Sequence, residues 1–316
     1  MFFQSKIFRN IILCFVLVSI QGCISIFDNK SEDKISNPKV VIIVIDGARY
    51  SETFGGHDHE YINNIWNELR PKGTIFTSFF IDSSGQTLTN PGHASILTGT
   101  WQNIANNGEE RPSKPTLFEY FRKKKKTDIR KAHLIASKAK LKAVSYSNSA
   151  EYGEAYKAST FGAENYGDDI ATINKAEDVI KNDKPDIIFM NLAATDVAGH
   201  TGNFDRYVTA LNRADSLVYN FWQMVQKQDY YEGKTNLFIT TDHGRHLDGV
   251  KNGFQSHGDN CLGCRKLFLL AIGPQIPSGK TVDKKYYQID LANTVGDIMD
   301  FSLEYSEGDM IKELFK

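Results

Sequence analysis

The sequence has only four cysteines and eight prolines in 316 residues. That is too few for a disulfide-dense miniprotein or a collagen-like repeat. Excess charge is missing too: 37 Lys and Arg face 38 Asp and Glu, a net charge of −1. A dedicated nucleic-acid binder should carry a clearly basic footprint, and no nucleic-acid-binding surface is evident here. No internal repeat and no convincing internal linker break the chain. The apolar share, 41%, excludes a disordered chain. The length admits one large α/β domain or two smaller ones, either able to bury a substantial core.

Residues 1–22 read as an address. Lys6 and Arg9 precede the apolar run Ile11-Ile12-Leu13-Cys14-Phe15-Val16-Leu17-Val18, and Gly22-Cys23 follows. A basic start, a short apolar core and a small residue at the cut make a secretory signal. The Gly-Cys ending resembles a bacterial lipobox, in which Cys23 is lipidated and becomes the mature N-terminus, although Gln21 replaces the usual small residue. The alternatives are a plain signal peptide or an uncleaved anchor, for which the apolar run is short. The expectation is an exported lipoprotein, held on a membrane facing the periplasm or cell surface. Residues 23–38 form a polar tether, and one domain runs from 39 to 316.

Export bears on the remaining cysteines, Cys261 and Cys264, spaced C-x-x-C. With no second pair, a four-cysteine zinc site cannot be built from cysteines alone. In an oxidising compartment a local disulfide between Cys261 and Cys264 is the favoured reading. A redox pair is the alternative, without the strand and helix that usually frame one.

Strands and helices alternate along the mature chain. Residues 39–45, 74–81, 133–136, 186–192, 235–241 and 267–272 are β-branched or apolar runs that predict strands. Those at 39–45 and 186–192 read as buried on both faces. Helical spacing marks 61–69, 91–97, 115–126, 168–181, 204–228 and 288–299. The fold class is therefore α/β, with a mostly parallel central sheet flanked by helices on both faces. The basic run Arg122-Lys123-Lys124-Lys125-Lys126 falls at a helix end, where cations suit the dipole.

Chemistry collects just past the strands. Ile45 leads into Asp46-Gly47, Leu192 leads toward Asp196 and His200, and Thr241 leads into Asp242-His243. Ligands of parallel α/β sheets bind at the carboxyl ends of the strands. Carboxylates and imidazoles are the ligand set of Zn²⁺ and similar ions. A single Asp or His is usually a cap or turn residue; three such sites at three strand ends make coincidence less credible. His257 is a further candidate and His246 competes with it. Thr89, in Thr89-Asn90-Pro91-Gly92-His93, stands just ahead of a helix N-terminus, which suits an anion. Its hydroxyl needs activation before it can act as a nucleophile. Alone, Thr89 or Asn90 would be read as a cap.

Together these segments resemble the alkaline phosphatase superfamily, most closely its nucleotide pyrophosphatase/phosphodiesterase-like (type I phosphodiesterase) branch. The matching residues are Asp46-Gly47-Ala48-Arg49, Thr89 through Gly99, Asp196-x-x-Gly199-His200, Thr241-Asp242-His243-Gly244 and His257. Their order along the chain is the family's order. The resemblance implies two Zn²⁺ ions per chain, one on Asp46, Thr89, Asp242 and His243, the other on Asp196, His200 and His257. It makes Thr89 the nucleophile and Asn107 the asparagine that holds a phosphoryl oxygen, with Asn106 or Asn103 as substitutes because the interval from Thr89 is short. Gly92 stands where phosphodiesterases usually carry Asn, which leaves Thr-type monoesterases open. His93 reads as a structural group, and His57 and His59 as loop residues. Lys138 could aim a charge at substrate, but most lysines are simply exposed.

The implied activity is metal-dependent hydrolysis of a small-molecule phosphate ester through a phospho-Thr89 intermediate, with Asn107 and the amides after Thr89 holding the phosphoryl oxygens. A phosphonate hydrolase on the same core is an alternative. A sulfatase is disfavoured because Thr cannot become formylglycine. A phosphoglycerate mutase-like isomerase would use Ser and an extra domain, for which the chain is short. A surface lipoprotein that keeps the fold without catalysis is the non-enzymatic rival. Residues 144–167 are a plausible cap over the site. Substrate identity and oligomeric state are not readable.

Overall fold

The computed structural model describes residues 35–315. The leader 1–22, Cys23 and most of the tether lie outside the described residues.

The strands are β1 (Lys39–Ile45), β2 (Thr74–Phe80), β3 (Ala132–Ala136), β4 (Ser159–Gly162), β5 (Ile187–Leu192), β6 (Thr235–Thr240), β7 (Lys266–Ile272), β8 (Lys280–Val282) and β9 (Tyr286–Tyr287). They form one sheet in the order β4-β3-β5-β1-β6-β7-β2-β8, with β9 also paired to β2. The sheet is mixed but mostly parallel: β7 runs antiparallel to both β6 and β2, and the other pairings are parallel.

β1 shows why the sheet sits at the centre. Successive side chains of a strand point to opposite faces. Val40, Ile42 and Val44 enter one apolar cluster, and Val41, Ile43 and Ile45 enter the other. The first cluster is closed by helices α1 (Thr89–Thr98), α2 (Leu117–Lys125) and α7 (Asp290–Ile298), through Leu97, Phe118 and Val295 among others. The second is closed by α3 (Asp169–Asn182) and α5 (Phe204–Gln226), through Ile173, Leu211 and Phe221 among others. Both sheet faces are therefore covered, as a doubly buried strand requires. Two further helices are short, α4 (Ala194–His200) and α6 (Leu262–Arg265).

Two differences from the sequence reading have local causes. The stretch 61–69 is not one regular helix but a 3₁₀ turn, Glu60–Ile62, followed by a π turn, Ile65–Leu69. Pro71 just beyond them disfavours a regular helical continuation. Residues 144–167 are not simply a cap, because β4 lies within them and pairs in parallel with β3. A four-residue strand is too short for its alternation to register. The basic run 122–126 does fall on the last turn of α2, and Lys126 closes that helix in a left-handed conformation at φ 53°.

Candidate metal centre

The strands β3, β5, β1 and β6 are parallel neighbours, so their carboxyl ends share one edge. Asp46 follows β1, and Asp242 and His243 follow β6. α4 starts two residues after β5 and carries Asp196 and His200. Lys138 follows β3. The order of strands in the sheet, rather than in the chain, makes these residues neighbours.

One oxygen or nitrogen each from Asp46, His93 and Asp242 lie within 4.8 Å of one another, and so do one each from Asp196, His243 and His257. His243 Nε2 is 3.4 Å from Asp242 Oδ2 and 3.7 Å from Asp46 Oδ1, so it reaches both groups. His200 Nε2 is 3.4 Å from Asp196 Oδ1 and 3.2 Å from His257 Nε2. The structure thus brings together Asp46, Asp196, His200, Asp242, His243 and His257. Thr89 joins them from the first residue of α1, with its Oγ1 3.2 Å from Lys138 Nζ.

Lys138 is fully buried at the centre. Its ammonium donates to Asp46 Oδ1 at 3.0 Å and to Asp196 Oδ2 at 2.6 Å. Burial opposes its charge, but Asp46, Asp196 and Asp242 outweigh that and hold it charged well above the ordinary lysine range. Burial also pushes the carboxyl of Asp46 up, reinforced by Asp242. For Asp242 burial is outweighed chiefly by His243 and His93; for Asp196 it is outweighed by Lys138, His200 and Arg245. Both stay below the usual carboxylate range. Burial, with His243, lowers His257 to about 2, leaving the neutral imidazole that metal coordination requires.

The donor set tests whether a divalent cation fits. Asp242 Oδ2 and His243 Nε2 are buried without a hydrogen-bond partner, a costly state for polar atoms. Three buried carboxylates share the site with the buried cations Lys138 and Arg245, and Lys140 acts on them from farther away. Oxygen and imidazole nitrogen donors match zinc-like ions. The residues fit.

Supporting groups fix this set. Asn191 Nδ2 donates to Asp46 Oδ2 at 2.8 Å, and Gly47 N donates to Asp242 Oδ1 at 3.1 Å. Arg245, fully buried, bonds Asp196 through side chain and backbone and reaches Gly47 O at 3.1 Å. Asp169 Oδ1 accepts from Ser137 Oγ at 2.6 Å and from Ala193 N at 2.7 Å, tying the residue before Lys138 to the start of α4. The Tyr166 ring lies 5.4 Å from Lys138 Nζ and is 55% exposed, so part of 144–167 does reach the site. Sequence reasoning missed Asn191, Arg245, Asp169 and Tyr166. It undervalued Lys138, which the strand-end rule alone would have marked.

His93 is a structural group: its Nδ1 contacts Thr89 O at 2.8 Å and its Nε2 contacts Asn191 Nδ2 at 3.0 Å. His57 is exposed against Asp58, and His59 stacks on Trp66. His246 turns away to another cluster and does not compete with His257. The placement of Asn107 requires correction. Its side chain is exposed and engaged with Glu109 in a local turn. Asn106 stands beside Thr89 instead, its Oδ1 accepting from Asn90 N at 2.9 Å and from Lys140 Nζ at 3.0 Å. That bond occupies the Asn90 amide. Pro91 has no amide hydrogen and Gly92 N donates to Leu88 O at 2.8 Å, so the amides just after Thr89 are not free to hold an anion. The expected disulfide is not formed either: Cys261 and Cys264 are free thiols.

Gly92 has a steric reason. A Cβ there would meet the Asp242 carbonyl oxygen at 2.6 Å, so only glycine lets α1 approach Asp242 this closely. Gly47 adopts φ +65°, and a Cβ would meet Asp196 Oδ1 at 2.7 Å.

Residues 38–260, more than half of the chain, match the sequence model of the Metalloenzyme superfamily. Among curated relatives, a 2,3-bisphosphoglycerate-independent phosphoglycerate mutase of Francisella philomiragia is 35% identical over 71 residues, 22% of this chain and 13% of that protein. The corresponding mutase of Helicobacter pylori is 32% identical over 82 residues, 25% of this chain and 16% of its own length. The chain thus spans less than a fifth of these relatives. Among solved structures, the alkaline phosphatase PafA superposes with a TM-score of 0.65 at 12% identity, covering 89% of this chain and 100% of that one. Murine ectonucleotide pyrophosphatase/phosphodiesterase 5 gives 0.63 at 14% identity, covering 88% and 100%. At such identities the likeness is one of fold.

Proposed function

From the premise that this chain belongs to the Metalloenzyme superfamily, we propose that it is an alkaline phosphatase-superfamily enzyme that hydrolyses small-molecule phosphoric esters, with two zinc ions as cofactor and Thr89 as nucleophile. Asp46, Asp242 and His243 would hold one ion, and Asp196, His200 and His257 the other. Bound there, the ions supply Lewis acidity and charge neutralisation. The observation that carries the reading is the position of Thr89 Oγ1: at the first residue of α1, within the carboxylate and imidazole cluster, and 3.2 Å from a buried ammonium.

The chain's own groups then have definite tasks. Lys138 stays protonated, so it serves not as a base but as a fixed positive charge that favours the Thr89 alkoxide. Thr89 Oγ attacks phosphorus, the bond to the leaving alcohol breaks, and phospho-Thr89 forms. Water then attacks the same phosphorus and frees the threonine. Asn106 is oriented by Asn90 and Lys140, and its Nδ2 takes over the phosphoryl-oxygen role expected of Asn107. His200 and Tyr166, each about half-exposed, stand at the solvent side of the cluster. The N-terminal signal and Cys23 would place the enzyme outside the cytoplasm on a lipid anchor.

The test is a rate panel on aryl phosphate, aryl phosphodiester, aryl phosphonate and aryl sulfate with zinc present, with acid quench of the first turnover. A phosphate ester should be the best substrate, and label should be trapped on Thr89. Sulfate or phosphonate dominance would reassign the substrate. No turnover of any ester, together with no stoichiometric zinc, would leave a non-catalytic module.

A further inference from the structure

We propose that His246, Asp259, Cys261 and Cys264 form a separate, structural zinc-type site that clamps the segment carrying His257. The proposal does not rest on the hydrolase reading. One ligand atom from each of the four lies within 4.8 Å of the others. A tetrahedral zinc, about 2.3 Å from sulfur and about 2.0 Å from nitrogen or oxygen, needs ligands roughly 3–4 Å apart, so a small contraction closes the shell. Cysteines alone are too few for such a site; the fold supplies the missing pair from either side of the 247–258 loop.

His246 provides the second, independent observation. Its side chain is 2% exposed, and its Nε2 is buried without a hydrogen-bond partner. Ser256 Oγ donates its own hydrogen to Asn252 Oδ1 and so accepts from His246 Nδ1, 3.1 Å away. That fixes the tautomer and leaves the lone pair on Nε2. The lone pair faces Asp259 Oδ2 at 3.1 Å, an oxygen that also accepts from the exposed Lys251 ammonium, and a proton or a metal ion between the two acceptors would relieve their repulsion. On the other side, Cys261 caps α6, and its Sγ accepts from Cys264 N at 3.3 Å, which sets both sulfurs on one turn. Two thiolates, an imidazole and a carboxylate suit zinc better than magnesium or calcium.

The same knot holds the first centre. His246 N donates to Ser256 O at 3.1 Å, and Gly244 N donates to Cys264 O at 2.8 Å. Thr87 Oγ1 donates to Asp259 O at 2.9 Å, and His257 Nδ1 contacts Thr87 O at 2.8 Å. A cation bound here would pin the backbone on both sides of His257, releasing the two thiol protons to solvent as it binds.

The test uses the full chain, purified under reducing conditions, stripped with a chelator and titrated with Co²⁺ and then Zn²⁺. The expected result is a near-ultraviolet thiolate-to-cobalt absorption band in the wild type, Zn²⁺ protection of both thiols from alkylation, and loss of the band and of one metal equivalent in C261S/C264S. The first centre has only oxygen and nitrogen ligands and gives no such band, so failure of the hydrolase reading would leave this result standing, and the reverse. The wild-type band and the alkylation need no variant to fold. Absence of the band, alkylation unaffected by Zn²⁺, or a Cys261–Cys264 disulfide in protein isolated without reductant would overturn the proposal.

Discussion

Gly92→Ala offers a test in which two physical effects oppose each other in sign. Gly92 lies inside α1, where alanine should stabilise a helix by about 1 kcal/mol through propensity alone. The structure predicts the opposite. A Cβ at 92 would meet Asp242 O at 2.6 Å and Asp242 Cβ at 3.2 Å. Relief requires a separation of roughly 0.6 Å or more. Neither side yields easily: α1 is buried along its whole length, and Asp242 lies at 0% exposure. Overpacking of this kind costs about 1–3 kcal/mol, so the net effect should be a loss of up to about 2 kcal/mol, or a few °C in Tm. The displaced atoms belong to Asp242 and carry along its neighbour His243, so metal affinity should fall. A misplacement approaching 1 Å should lower kcat/KM about 100-fold. Calorimetry, metal analysis and ester hydrolysis on one preparation measure all three. As a control, Gly233 has positive φ, and a Cβ there would meet nothing within 4 Å; its Ala variant should lose a little stability and no activity. A Gly92→Ala protein more stable than wild type, with unchanged metal content and turnover, would refute the close-approach argument.

Other outcomes follow from the same geometry. Thr89→Ala should keep its metals but lose about three orders of magnitude or more in turnover, and normal turnover would remove Thr89 from the mechanism. Lys138→Met should destabilise the metal-free protein by about 3 kcal/mol, because it leaves Asp46 and Asp196 without their shared cation; equal urea midpoints for variant and wild type would contradict this. Burial raises Asp169 to about 6, so the folded state binds its proton more tightly than the unfolded chain. Stability from this group is present at low pH and is lost as pH rises from about 4 to 6, by roughly 3 kcal/mol in all. Asp169→Asn keeps an acceptor for Ser137 and Ala193 and should flatten that part of the urea-denaturation profile; parallel profiles would count against the buried charge. Chelation should abolish ester hydrolysis and zinc should restore it, read as rate against bound metal.

The asparagine shows where spacing arguments stop working. Counting from Thr89 pointed to Asn107, yet that side chain turns outward to Glu109 while Asn106 reaches Asn90. A one-residue change in a turn reverses which side chain faces inward, and no periodicity encodes it. Lys138 errs in the other direction. A lysine is exposed by default, and only the convergence of three carboxylates holds this one in the interior. His246 and His257 are eleven positions apart, and only the path of the loop between them sends one to each cluster.

The order of residue types along the chain was enough to determine the α/β class, the six longer strands, the doubly buried ones among them, and the acidic and imidazole side chains at their ends, because burial and alternation are local properties of β-rich runs. The antiparallel entry of β7, the exchange of Asn107 for Asn106, the burial of Lys138 and Arg245 and the meeting of Cys261 and Cys264 with His246 and Asp259 were decided only in three dimensions. Each depends on contacts between segments far apart in the chain, and such contacts are selected by packing and charge compensation rather than by the preferences of any one segment.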